Sequence, residues 1–321
     1  MTTSVRKWIN LEQPRLNTRV TFATDEFFGA KERIVDTAEP VFLPDEYDDH
    51  GKWMDGWESR RRRGPGHDYC VIRLGVPGII HGFDIDTTHF TGNYPPHASI
   101  EVCTASVDVP EDGWFEVVPR TELQGNSHHY LDARDDVVRT HVRLHIYPDG
   151  GVARLRIFGE IRADFTDVDG FVDLAAVEHG GRAIACSDEH YGSIQNLTAP
   201  GRGINMGDGW ETARRRGPGH DWVIIALGQP GVIERAEIDT AHFKGNYPDR
   251  VSLEAGSFDG DEAAVNAGAN WQTLMSESKL KMDQQHYFEE LESIGAVSHV
   301  RVSIYPDGGI SRVRLFGQVH G

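Results

Sequence analysis

The chain has 321 residues, 39% of them hydrophobic, with 14 Phe, 9 Tyr and 7 Trp, so it can build sizeable cores and is not a disordered chain. Its 32 basic and 50 acidic residues leave a formal charge of −18, which argues against a nucleic-acid partner, because such binding depends on neutralising phosphates. Three cysteines without a CxxC spacing speak against a disulfide framework or a structural zinc site, and no apolar run reaches the roughly 18 residues a membrane helix needs. The polar stretch from Met1 to Val20 has no signal-peptide core, so no membrane partner and a cytoplasmic setting are expected.

In chain order, Thr24 to Gly29 opens the patterned region, and Asp55-Gly-Trp-Glu58 follows with Arg61, Arg62 and Arg63. Gly64-Pro-Gly-His-Asp68 then leads into Tyr69-Cys-Val-Ile-Arg-Leu74, a short apolar run bounded by Gly and Pro that predicts a buried strand. Ile85 to Pro95 reads as a strand running into an irregular loop. Val142 to Tyr147 alternates, with Val142, Leu144 and Ile146 on one face and Arg143, His145 and Tyr147 on the other. Pro148-Asp-Gly-Gly151 is turn chemistry, and the run from Val152 to Phe158 is expected as the partner strand. Val172 to Glu178, followed by Gly180-Gly181, predicts a short linker helix with a glycine stop.

After the linker the same signals return. Asp208-Gly-Trp-Glu211, Gly217 to Asp221 and Ile238 to Pro248 each stand 153 residues beyond their first copies. Residues 55–102 and 208–255 agree at 29 of 48 positions, far above chance. Ile304-Tyr-Pro-Asp-Gly-Gly309 repeats Ile146 to Gly151 at an offset of 158, so five extra residues lie between, near Asp259 to Asn270. A unit of this length is a domain and not a solenoid repeat. The predicted architecture is all-β, two tandem homologous domains that are each a β-sandwich or jelly roll: residues 1–165, a linker over 166–180 with a short helix, and residues 181–321.

Side chains present in both copies form the shortlist for chemistry. Arg61 and Arg62, with Arg214 and Arg215, are substrate-binding candidates, because guanidinium forks hold a carboxylate and never lose their charge. Trp57 and Trp210 belong to the same motif and join that group. Glu58 and Glu211, His67 and His220, Asp86 and Asp239, and His89 and His242 are acid–base candidates. Asn93 and Asn246 supply amide hydrogen bonds. Asp86 and His89 converge only if the strand ends near Thr87. His128-His129-Tyr130, with His286-Tyr287 in copy two, is a weak metal signal and reads more simply as an exposed pair. Serine-nucleophile, P-loop, zincin and EF-hand patterns are absent.

These motifs together resemble the allantoicase family: Thr24 to Gly29, Asp55-Gly-Trp-Glu-Ser-Arg-Arg61, Gly66-His-Asp68, Asp86 to Pro95 and Tyr147-Pro-Asp-Gly-Gly151, with a second set from Ser187 to Phe316. The resemblance spans nearly the whole chain. It implies tandem jelly rolls, hydrolysis of allantoate to ureidoglycolate and urea in allantoin catabolism, and a homo-oligomer. It implies no firmly required cofactor, with a divalent ion such as Mn as the one candidate. On this reading a protonated His89 or His67 assists loss of urea, and a carboxylate such as Glu58 or Asp86 activates water. The competing reading is a galactose-binding-like module that binds carbohydrate without chemistry. Such modules are usually appended to a catalytic domain, whereas two copies make up this chain.

Overall fold

A computed structural model describes residues 8–133, 135–165, 170–268 and 270–320. The chain divides into two compact units, Met1–Arg162 and Ala163–Gly321. In the first, seven main strands appear in order: β1 (Arg19–Ala23), β2 (Asp68–Asp86), β3 (His97–Cys103), β4 (Phe115–Glu122), β5 (His128–Asp132), β6 (Val138–Tyr147) and β7 (Arg154–Ile161). The second repeats them as β8 (Arg182–Cys186), β9 (Asp221–Asp239), β10 (Arg250–Gly256), β11 (Gln272–Lys279), β12 (Gln285–Phe288), β13 (Val297–Tyr305) and β14 (Arg312–Val319).

The run expected to be a six-residue strand is the start of a 19-residue one that serves both layers. The first part of β2 pairs with β1 and β6, and β6 continues to β3 and β4. From Gly78 onward β2 pairs with β7, and its last residues pair with β5. One strand therefore runs through both sheets of the sandwich, and all pairings are antiparallel. The crossing passes Leu74-Gly-Val-Pro-Gly78, and at Gly75 a side chain has no room: a Cβ would stand 1.6 Å from the Leu16 carbonyl. Gly228 repeats this against His179 at 1.9 Å. The inward faces of both layers, among them Ile72, Phe83, Ile85, Val142, Leu144 and Ile146, are fully buried. Each such side chain contributes roughly 1.5–3 kcal/mol relative to exposure. The all-β tandem jelly-roll reading therefore holds.

Two sequence expectations fail here. Pro148-Asp-Gly-Gly151 is not a hairpin turn, and the following run does not pair with β6. Both edges of β6 are already occupied, by β2 and β3. The chain instead crosses to the other layer, where Gly151–Val152 pairs with Trp57–Glu58 and β7 joins β2. The linker helix is also absent. Val172–Asp173 is a strand paired with β14, and only a three-residue 3-10 turn, Val177–His179, follows before Gly180 at φ 94°. Asp173 explains this, since its carboxylate accepts from the Leu315 amide at 2.9 Å and ties the segment to the sheet. Residues 166–169 of the expected linker lie outside the described residues. The single α-helix among the described residues, α1 (Asp261–Val265), falls in the five-residue expansion of the second copy.

Candidate active site

Five backbone segments converge at one end of each sandwich. In the first repeat Gly29 brackets Glu58 through paired amide–carbonyl bonds of 3.1 Å, while Ser59 N–H donates to the Gly150 carbonyl at 3.1 Å. Gly151 N–H donates to the Asn93 carbonyl at 2.7 Å, and Asp68 N–H donates to the Pro148 carbonyl at 3.1 Å. The Asp-Gly-Gly turn is thus the hub that draws the Glu58, Asp68 and Asn93 segments together. Its two glycines are required for different reasons. Gly150 sits at φ 139°, and a Cβ on Gly151 would strike the buried Phe90 ring at 2.0 Å.

The hub sets out a small polar site. Asn93 Nδ2 donates to Glu58 Oε1 at 2.8 Å, and Asn246 donates to Glu211 in the second repeat. Glu58 is 9% exposed, and burial raises its pKa above the usual carboxylate value against the opposing hydrogen bond from Asn93. The arginines divide their work. Arg62 is spent on Asp68 by its guanidinium and on Asp149 by its backbone N–H at 2.7 Å; Arg215 does the same with Asp221 and Asp307. Arg61 and Arg214 are exposed and hold no ion pair among the described residues. In the second repeat these groups border a cavity of about 510 Å³ lined by Glu211, Thr212, Arg214, Asn246, Tyr247 and Asp307.

The remaining shortlisted residues lie differently. Trp57 and Trp210 have no exposed surface, and their indole N–H groups donate to the Asp25 and Asp188 carbonyls at 2.8 and 2.7 Å. They are core pins and cannot touch a substrate, which corrects their placement as binding residues. The strand ends at Asp86 as the convergence required, yet Asp86 and His89 share no hydrogen bond among the described residues. Asp86 accepts from the Thr88 amide at 2.8 Å, and His89, at φ 71°, points Nε2 at the Pro40 carbonyl at 3.1 Å. In the second repeat Asp239 is ion-paired with Arg202, and His242 Nε2 meets the Gly203 carbonyl at 2.8 Å. His128 pairs with Asp84 at 2.8 Å, while His129 and His286 bridge backbone groups inside the sheet.

His67 turns to the flank of the first sandwich. Its Nε2 lies 2.8 Å from His145 Nδ1, and His145 Nε2 lies 2.6 Å from Glu101 Oε2. Glu101 is desolvated, but hydrogen bonds from His145 and Arg143 more than offset this and hold its pKa below the ordinary value. Burial lowers the pKa of both His67 and His145, so both are neutral near pH 7. His220 occupies the same flank in the second repeat, against the Tyr305 ring at 4.6 Å.

Sequence reading missed Asp149, Asp307, Glu101 and His145. The two aspartates recur in both copies and were legible only as turn residues. His145 was hidden because copy two has Ser303 there, so a filter for shared residues discards it. Among the described residues no three His, Cys, Asp or Glu side chains gather to hold a metal ion, so the donor set does not fit a divalent-ion centre.

The chain matches a family model described as an allantoicase repeat twice, over residues 9–162 and 172–320. It is 53% identical over 319 residues to the probable allantoicase 1 of Burkholderia mallei, covering 97% of this chain and 95% of that one. It is 54% identical over 319 residues to the probable allantoicase of Ralstonia nicotianae, again covering 97% and 95%. The crystal structure of allantoicase from Saccharomyces cerevisiae superposes with a TM-score of 0.83 at 35% identity, covering 99% of this chain and 95% of that one. With its duplicated sandwich and duplicated polar end site matched along nearly its full length, the chain belongs to the allantoicase family.

Proposed function

We propose that the end pocket is where this enzyme hydrolyses allantoate to ureidoglycolate and urea. The activity follows from the family; the assignment of the site rests on one observation. In both repeats a Glu–Asn pair, half or more buried, is hydrogen-bonded, and in the second it shares a cavity wall with Arg214, which has no ion pair among the described residues.

Allantoate carries a carboxylate and two ureido groups on one carbon. Arg214, or Arg61 in the first repeat, is the carboxylate fork. Asn246 or Asn93 offers its amide to a ureido group. Burial raises the pKa of Glu58, which favours its protonated form relative to an exposed carboxyl. The protonated carboxyl gives its proton to the departing ureido nitrogen as the C–N bond breaks. The lone pair of the remaining ureido nitrogen forms a C=N bond to the central carbon. Water then adds to that carbon, and the carboxylate left by the first step takes the water proton. One water is consumed, one urea leaves, and the carboxyl is restored. Glu58 and not His89 is the acid on this reading, because His89 Nε2 is committed to the Pro40 carbonyl.

This reading includes a homo-oligomer and a cytoplasmic setting. Light scattering tests the first, and a mass of 35.8 kDa in solution would contradict it. The second accords with three free cysteines, of which Cys70 is buried with its thiol pKa raised to about 12 by burial. Among the described residues no helix is long and apolar enough to cross a membrane. The direct assay is urea release from allantoate by the purified chain before and after EDTA treatment. Release that survives EDTA is expected; no release from the folded chain, with or without added Mn²⁺, would defeat the reading.

A further inference from the structure

The flanks of the two repeats are built alike and differ at one central side chain. In the first, Glu101 Oε2 accepts from Arg143 Nε at 2.8 Å and from His145 Nε2 at 2.6 Å. A carboxylate only accepts, so His145 carries its proton on Nε2 and its bare Nδ1 accepts from His67 Nε2–H at 2.8 Å. A five-membered ring thus bridges an acceptor on one side and a donor on the other.

The second repeat keeps most neighbours of that ring and exchanges one aromatic for another. Glu254 accepts from Arg301 Nε at 2.7 Å, and Ser252 and Tyr305 share the 3.0 Å hydroxyl contact that Ser99 and Tyr147 make. His220 stands for His67 and Trp222 for Tyr69. The ring itself is gone, because Ser303 replaces His145. Ser303 points to this face by strand alternation between Arg301 and Tyr305. It is 1% exposed, and its hydroxyl has no hydrogen-bond partner among the described residues. Among the described residues no hydrogen bond holds the His220 ring either. A cavity of about 500 Å³ adjoins this place, with His220, Glu254, Trp222, Ser252 and Tyr305 in its wall and Ser303 itself outside that wall.

We propose that this flank cavity of the second repeat binds a small five-membered N–H heterocycle, in the role that the imidazole of His145 fills in the first repeat. The ligand ring donates N–H to Glu254 and accepts from His220, lying against Trp222 and Tyr305. Glu254 is balanced by Arg301, and Glu277 by Arg250 at 2.6 Å, so the cavity selects a neutral ligand and not an anion. The volume lies within the range of small-ligand sites and exceeds a single ring. Thr273, Ser276 and Glu277 line the excess and suit a polar arm. The site is separate from the end pocket and independent of its assignment.

The test is isothermal titration of the full chain with two probes, imidazole at pH 8 and hydantoin, with the Trp222 indole followed by NMR. At least one probe is expected to bind saturably, at one site per chain, and to shift the Trp222 signal. Whichever binds more tightly identifies the acceptor that His220 prefers, a ring nitrogen or a ring carbonyl. Ser303→His restores the side chain of the first repeat and should weaken binding at least about ten-fold, the loss of roughly one net hydrogen bond. His145→Ser should open the matching site in the first repeat and raise the stoichiometry to two. Absence of saturable binding by either probe, or unchanged affinity in Ser303→His, would overturn the proposal. Should His145→Ser fail to fold, Ser303→His decides alone.

Discussion

Burial tunes individual carboxyls in this protein, and Glu12 is the extreme case. It is fully buried, accepts from the Ile157 amide at 3.2 Å and lies 3.1 Å from Arg156, yet desolvation outweighs these partners and raises its pKa to about 7. A folded-state pKa above the unfolded value gives stability that is complete below about pH 4.5 and lost as pH rises through about 7. Glu12→Gln removes that loss. The variant should therefore gain on the wild type between pH 5 and pH 8 by up to about 3 kcal/mol. Urea melts at the two pH values check this, and parallel pH dependence in both proteins would refute it. Arg214 and Arg61 lend themselves to a second residue-scale test. Losing a charged hydrogen-bonding fork costs about 1.5–3 kcal/mol, so the double change to alanine should raise KM for allantoate roughly ten- to hundred-fold. Changing Arg62 and Arg215 instead should lower melting temperature, since those side chains are spent on buried Asp68 and Asp221. The motif around Glu58 was legible in sequence, whereas this division among adjacent arginines was not. Which guanidinium faces a partner depends on the fold of the Gly-Pro-Gly loop, which composition does not encode.

The elements show where local signals suffice and where they mislead. Alternation in β6 correctly separated Val142, Leu144 and Ile146 from Arg143, His145 and Tyr147. Turn chemistry at Pro148-Asp-Gly-Gly151 was also real, but its topological meaning was not local. The same residues serve a hairpin or a crossing, and the choice was made by β2 and β3 occupying both edges of β6. The linker failed similarly: Val172 to Glu178 has helix-compatible composition, but two of its residues are claimed by β14. The hub yields a direct prediction. Gly151→Ala places a methyl into the Phe90 ring in a packed core, which costs typically 1–3 kcal/mol. Thermal melting should show it, with urea release falling further than the fraction unfolded explains, because the Asn93 and Glu58 segments hang on this turn. Gly64→Ala, where the added carbon meets nothing, is the matched control and should behave as wild type.

At the scale of the molecule, duplication made most of the fold and the family readable. Motifs repeated at one offset mark domain-sized copies, and their match over nearly the whole chain implies the reaction. The same logic concealed what the copies do not share. His145 and Ser303 are aligned and unlike, and so are Arg60, paired with Asp25, and Ala213. Side chains dropped by a search for common residues therefore carry the difference between the repeats. The central claim is that the Glu–Asn–Arg end pockets perform the hydrolysis. Its most direct test is steady-state urea release by Glu58→Gln, Glu211→Gln and the double variant, each first shown to be folded. The double variant is expected to lose turnover at least about 10²-fold, the usual contribution of one acid–base group. A folded double variant with wild-type kcat would contradict it and move the chemistry out of the end pockets.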